Sequence, residues 1–333
     1  MTRSRDTANT QENIGGAVAP FVAGKNKIIN GDFGIWQRGT SITTTASGSY
    51  FFGADRWQMY SPASSTSTFS QQTFTPGTAP VAGYEGTYFA RFNCTNSFGT
   101  YFQQYIEDVR TFAGQTVTLS FWAKAGSAIS LSGNLAQIFG SGGSSPVDNA
   151  VSSVSVTTSW QRFSITISVP SIAGKTIGTS SYLKWTLLTT SFNVNIDIWG
   201  VQIEAGSVAT PFTTASGSIG GELALCQRYY WRNTQSTSYE RFGNGFASAT
   251  NAVVFQLPLK VTMRTAVTSV DYNGMTAYDG ITQSGTGVVA INAASSNVVD
   301  VSLTSISGLT QYRPYALIAS GTSGAYLGFS AEL

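Results

Sequence analysis

Val117-Thr118-Leu119-Ser120-Phe121-Trp122-Ala123-Lys124 alternates without a break, with Val117, Leu119, Phe121 and Ala123 on one side and Ser120, Trp122 and Lys124 on the other. Successive side chains of a strand point to opposite faces of its sheet, so this stretch predicts a strand with one face in a core. Residues 163–169 repeat the pattern cleanly, and Pro170 ends it. In residues 192–199, Phe192, Val194, Ile196 and Ile198 point inward, while Asn193, Asn195, Asp197 and Trp199 gather on the opposite face. Glycine- and serine-rich runs such as residues 140–145 separate these strands as loops. Lys27-Ile28-Ile29-Asn30-Gly31-Asp32-Phe33 predicts a short strand running into an Asn-Gly turn. The fold class these patterns imply is all-β, with an antiparallel jelly roll or β-sandwich over residues 27–216.

Working outward, residues 1–26 form a polar arm without a repeated apolar pattern. Two readings fit it: a disordered terminus, or a docking arm that orders on a partner through residues such as Arg3, Arg5, Ile14 and Phe21. Beyond the sandwich, Glu222-Leu-Ala-Leu-Cys-Gln-Arg-Tyr-Tyr230 is the one convincing helical stretch, with Leu223, Cys226 and Tyr230 at helical spacing. It reads as a connector helix within residues 217–232. Strands resume in residues 233–333, where Val299, Val301 and Leu303 alternate with polar residues and Leu327, Phe329, Ala331 and Leu333 close the chain. That segment predicts a second, smaller β-sandwich whose final strand runs to the last residue.

Composition narrows the functions. Of 333 residues, 10% are charged and 42% hydrophobic; soluble domains usually carry about 25% charged residues. The polar surface therefore comes from Ser, Thr, Asn, Gln and Gly, as in extracellular β proteins and virion fibres. The net charge of +2 is spread along the chain, which argues against nucleic acid as a partner. No run of apolar residues is long enough for membrane insertion, and no secretory signal peptide is expected, since Gly15, Gly16 and Pro20 interrupt the apolar residues near the start. An extracellular style without an export signal fits a particle released by lysis. Cys94 and Cys226 read as two buried thiols, with a pairing left open.

The chain contains no histidine, which removes the familiar serine and cysteine triads and most zinc sites. No phosphate-binding loop or dinucleotide fingerprint occurs, so no cofactor is expected. Two carboxylates suffice for glycoside hydrolysis, but the adjacent Glu107 and Asp108 would face opposite ways on a strand, and the chain is read as a non-enzyme. Binding chemistry remains. Trp122 and Lys124 on one strand, and Asn193, Asn195, Asp197 and Trp199 on another, combine an aromatic ring with polar groups suited to sugar hydroxyls. The alternative for both tryptophans is that they fill a second apolar layer of the sandwich. Asp32 and Asp197 are weak candidates for a calcium ion, and the expectation is that no metal binds.

Several motifs recur in order in a known family: Asn30-Gly-Asp-Phe-Gly-Ile-Trp-Gln-Arg-Gly-Thr-Ser41, Ala54-Asp-Arg-Trp57, Phe121-Trp-Ala-Lys-Ala125, Trp199-Gly-Val-Gln-Ile-Glu-Ala-Gly206 and Thr210-Pro-Phe212. Glu222 to Tyr230, Thr262-Met-Arg-Thr265 and Ala331-Glu-Leu333 follow them. Over residues 27–333 the chain resembles phage tail-fibre and minor virion structural proteins with a carbohydrate-binding-module-like jelly roll. The resemblance implies a virion location, other tail or baseplate proteins as partners, a homotrimer and no enzymatic activity. A host-surface polysaccharide is the ligand expected of an adhesin. A non-adhesive decoration protein of head or tail, and a surface-polysaccharide depolymerase, are the competing readings.

Overall fold

The computed structural model describes residues 23–46, 48–81, 84–95, 100–189, 191, 193–321 and 324–333. Arg3, Arg5, Ile14, Phe21 and Phe192 lie outside the described residues. The chain divides into two compact units, Met1–Glu222 and Leu223–Leu333.

The first unit holds β1 (Ser41–Thr44), β2 (Ser49–Phe52), β3 (Gln58–Ser61), β4 (Ser67–Thr73), β5 (Tyr88–Cys94), β6 (Thr100–Glu107), β7 (Thr116–Ala125), β8 (Ile129–Ile138), β9 (Ala150–Val156), β10 (Gln161–Ser168), β11 (Tyr182–Thr189) and β12 (Ile196–Ala205). They form two six-stranded sheets, ordered β1-β4-β5-β12-β7-β10 and β2-β3-β6-β11-β8-β9. Every pairing recorded within them is antiparallel, as in a jelly roll. Alternation sets the register. Leu119 pairs with Ile165, Phe121 with Phe163 and Ala123 with Gln161, and Val117, Leu119, Phe121, Ala123, Ile165, Ile167, Ile196 and Ile198 all enter the core. Aromatic rings fill its centre. Trp57 stacks on Phe102 at 4.6 Å and 4°, meets Trp185 edge-on at 5.4 Å, and donates its indole hydrogen to Asn30 O.

Residues 27–33 are not a strand. They form an irregular turn because Asn30 takes the left-handed conformation (φ 58°) and uses its amide to bind three backbone groups, at Ile35 N, Ile35 O and Asp55 O. Gly31 is needed for close approach: a Cβ there would stand 2.2 Å from Val201 O. Val201 N in turn donates to Gly31 O. Asn26 ties the same segment to the last strand, binding Val201 O, Thr213 O, Ile28 N and Ile203 N.

The helix, α1 (Ile219–Gln227), starts and ends three residues before the predicted span. The Ser218 hydroxyl caps it by accepting from Gly221 N. The second unit continues with β13 (Tyr230–Thr234), β14 (Arg241–Ala249), β15 (Ala252–Pro258), β16 (Ser269–Asn273), β17 (Met275–Tyr278), β18 (Gln283–Thr286), β19 (Val288–Ala294), β20 (Val298–Thr304), β21 (Pro314–Ala319) and β22 (Tyr326–Ser330). Tyr230 therefore belongs to a strand, paired with Ser330, and not to the helix. A three-stranded sheet, β13-β22-β16, and a seven-stranded sheet, β18-β17-β21-β14-β15-β20-β19, share one apolar core containing Phe255, Val301, Leu327 and Phe329. The last strand stops at Ser330, short of the final residue, although Ala331 remains buried. No helix among the described residues is long and apolar enough to cross a membrane.

Candidate functional site

The residues singled out from the sequence lie on the outer face of the first sheet, and the structure brings most of them together. Register places Asp197 opposite Lys124 and Arg91, and Trp199 opposite Trp122. The polar row is closed upon itself. Arg91 donates to both Asp197 oxygens at 2.6 and 2.8 Å, and Lys124 Nζ stands 3.6 Å from Asp197 Oδ2. The carboxylate holds the Arg91 guanidinium pKa above its usual value through its hydrogen bonds. With both oxygens held by cations, Asp197 does not fit a calcium ligand. Asp32 lies apart from it, in a cleft beside Trp199, and among the described residues no cluster of three acidic or cysteine ligands occurs.

The tryptophans are not open platforms. Trp199 is fully buried and Trp122 is 7% exposed, in a small apolar layer with Phe74, Phe89 and Phe212. Arg162 covers the Trp122 ring at 4.6 Å. Burial is the first influence on that guanidinium and lowers its pKa. Lys124 rests over Trp160 at 5.3 Å. Asn195 is exposed at the strand end and accepts from Asn93; Asn193 is exposed with a left-handed φ of 55°. Of the six candidates, Asn193 and Asn195 alone are exposed.

The outer face of the second sheet differs. Its core side is occupied by Met59, Phe102, Ile106, Leu183, Trp185 and Leu187, so alternation turns Tyr60, Tyr101, Tyr105 and Tyr182 outward. Tyr50 on β2 is 50% exposed and sits 5.0 Å from Tyr60, which lies 5.4 Å from Tyr101. Tyr105 and Tyr182 stack at 4.5 Å and 26°. Gln103 donates to both Gln58 Oε1 and the Tyr105 hydroxyl, and Lys184 pairs with Tyr105 in the register. Burial, with the other phenols close by, pushes Tyr105 up to about 12 and raises Tyr50; burial alone raises Tyr182. These phenols stay protonated, and serve as hydrogen-bond donors and flat apolar surfaces rather than as bases.

None of these tyrosines was singled out from the sequence. A signal was present: Tyr101-Phe102-Gln103-Gln104-Tyr105-Ile106 places Tyr101, Gln103 and Tyr105 on the face opposite Phe102 and Ile106. What could not be read was that β2, β3 and β11 would lie in the same sheet.

No protein-family model matches the chain, and no curated protein does. Among solved structures it is similar to the C-terminal family 22 carbohydrate-binding module of a Clostridium thermocellum xylanase, at 17% identity over 50% of this chain and 99% of that one (TM-score 0.34). The CBM22-1 xylan-binding domain from Paenibacillus barcinonensis is similar at 14% identity over 57% and 100% (TM-score 0.35). The enzymatically active domain of tailspike protein 4 from bacteriophage CBA120 is similar at 15% identity, over 55% of this chain and 22% of that one (TM-score 0.31). Likeness at this level carries no argument about a ligand or a site.

Proposed function

We propose that this protein is a non-catalytic component of a phage virion, a tail fibre or tail-tip adhesin, whose jelly roll grips host-surface polysaccharide on its tyrosine face. The observation that carries the binding role is the outward row of Tyr50, Tyr60, Tyr101, Tyr105 and Tyr182, interleaved with Gln58, Gln103 and Lys184. Pyranose rings present apolar C–H faces edged by hydroxyls. Half-buried phenols and side-chain amides match both parts, and neither loses much freedom on binding. The tyrosines come from the neighbouring strands β2, β3, β6 and β11. At about 4.8 Å per strand the row spans about 14 Å across three gaps, which suits an extended chain of sugars over a single residue.

The virion setting rests on the ordered motifs that resemble tail-fibre proteins and on a surface poor in charge and free of histidine. It includes a homotrimeric assembly and docking to other tail proteins through residues 1–26. The test is adsorption competition. Purified protein added in excess should block its phage from adsorbing to host cells, and Tyr105→Ala or Tyr182→Ala should weaken the block. Undiminished adsorption in the presence of folded protein would transfer the chain to a decoration role. Shortened polysaccharide after incubation would make it a depolymerase.

A further inference from the structure

On the other side of the sandwich, a cleft of about 340 Å³ is lined by Asp32, Tyr84, Glu85, Gly86, Tyr88 and Trp199, among others. Trp199 forms its floor, held by Phe212 at 5.0 Å, Trp122 at 5.3 Å and Tyr84 at 5.4 Å. Two buried polar atoms of the lining residues have no protein partner, the indole Nε1 of Trp199 and Oδ1 of Asp32. Unpaired groups of this kind are uncommon in folded proteins and call for an explanation. Gly86 lies directly over the indole: a Cβ there would meet Nε1 and Cε2 at 3.0 Å. Burial pushes the Asp32 carboxyl up to about 6, assisted by nearby Glu222. Burial, with Asp32 and Glu222, pushes the Tyr84 phenol up to about 12.

We propose that this cleft is a second saccharide site, separate from the tyrosine face, that seats a single neutral pyranose ring. The unpaired atoms are one donor and one acceptor, and the hydroxyls of a sugar ring can do both, accepting from Trp199 Nε1 and donating to Asp32. A bare cation would satisfy the carboxylate and leave the indole hydrogen unpaired. An anion would satisfy the indole and meet Asp32, Glu85 and Glu222, so uronic and other acidic sugars are disfavoured. The volume stands near the lower end for small-molecule sites, which suits one ring. Both atoms are shielded from solvent, and Gly86 stands over the indole, so a ring reaches Nε1 by displacing the segment around Gly86.

The test is an indole ¹⁵N–¹H titration of the full chain, with the Trp199 signal assigned by its loss in Trp199→Phe. Methyl glucoside, galactoside and mannoside are the probes, and glucuronate is the acidic comparison. The expected result is a saturable shift of the Trp199 signal with at least one neutral glycoside and none with glucuronate. Gly86→Ala should weaken that response by roughly tenfold or more. If Gly86→Ala lowers the melting temperature, Asp32→Leu, which is close in shape and has no acceptor oxygen, carries the same expectation. No Trp199 shift with any of the three glycosides, an equal shift with glucuronate, or full responses in both variants would overturn the proposal. The signal reports on the cleft alone, so loss of polysaccharide binding at the tyrosine face has no bearing on it.

Discussion

The two outer faces of the jelly roll were built by the same rule and ended differently. Both sheets alternate core residues with outward aromatic and polar ones, but the first sheet's face is occupied by its own side chains. Arg91 and Lys124 neutralise Asp197, and Phe74, Phe89 and Phe212 wrap Trp122 and Trp199. The second sheet's face leaves a run of phenols half-buried. Period-two alternation tells which residues share a face. Whether that face is free depends on loops, and here Phe74, Val81 and Tyr84, beyond the end of β4, pack against the first sheet.

The largest expected effect comes from opening the closed face. Trp199→Ala should lower the unfolding free energy by about 3–5 kcal/mol, the range for deleting a buried tryptophan, as read from urea denaturation. A loss below 1 kcal/mol would mean that the covering layer is loose and the contrast between the faces overstated. Asp197→Asn should cost about 2 kcal/mol, because Arg91 and Lys124 lose their counter-charge and one carboxylate acceptor becomes an amide donor. Polysaccharide binding should survive that change; if it disappeared with the fold intact, the binding role would pass to the first sheet. Tyr182→Ala should reduce polysaccharide affinity roughly tenfold, about 1.4 kcal/mol, by removing the partner of Tyr105 in the stacked pair.

The smallest effect is a pH dependence. Asp32 has its carboxyl raised from 3.8 to about 6 in the folded chain. Between these values the folded state holds more protons than the unfolded one, so stability falls as pH rises from about 4 to about 6 and is level above. Its size is on the order of 1 kcal/mol once solvent at the cleft mouth is allowed for. Melting temperatures across that range should show the slope in the native chain and lose it in Asp32→Asn.

The strands that frame the first sheet were legible because residues 117–124 and 163–169 alternate without interruption, and a core face leaves no other register. The outward placing of Trp122 and of Trp199, each on its own strand, followed from the same period; that the two strands are neighbours did not. The turn at Asn30 was not legible as such: Lys27-Ile28-Ile29 has the composition of a strand, and the amide contacts that bend it reach Ile35 and Asp55. The helix boundary moved because a serine cap at Ser218 outweighed the apolar spacing that begins at Leu223. The tyrosine row escaped notice because its members lie at positions 50, 60, 101, 105 and 182, and only the sheet order brings them side by side.

Lys27 N donates to Ile203 O, and Gly24 N donates to Ala215 O, so the chain comes into the jelly roll and leaves it at adjacent points. A module whose two ends are neighbours behaves as a cassette. It can be spliced into a surface loop of an unrelated scaffold without prying that scaffold apart. For a lineage that carries such a module, this geometry makes exchange of the whole unit a smaller step than rebuilding a single strand within it.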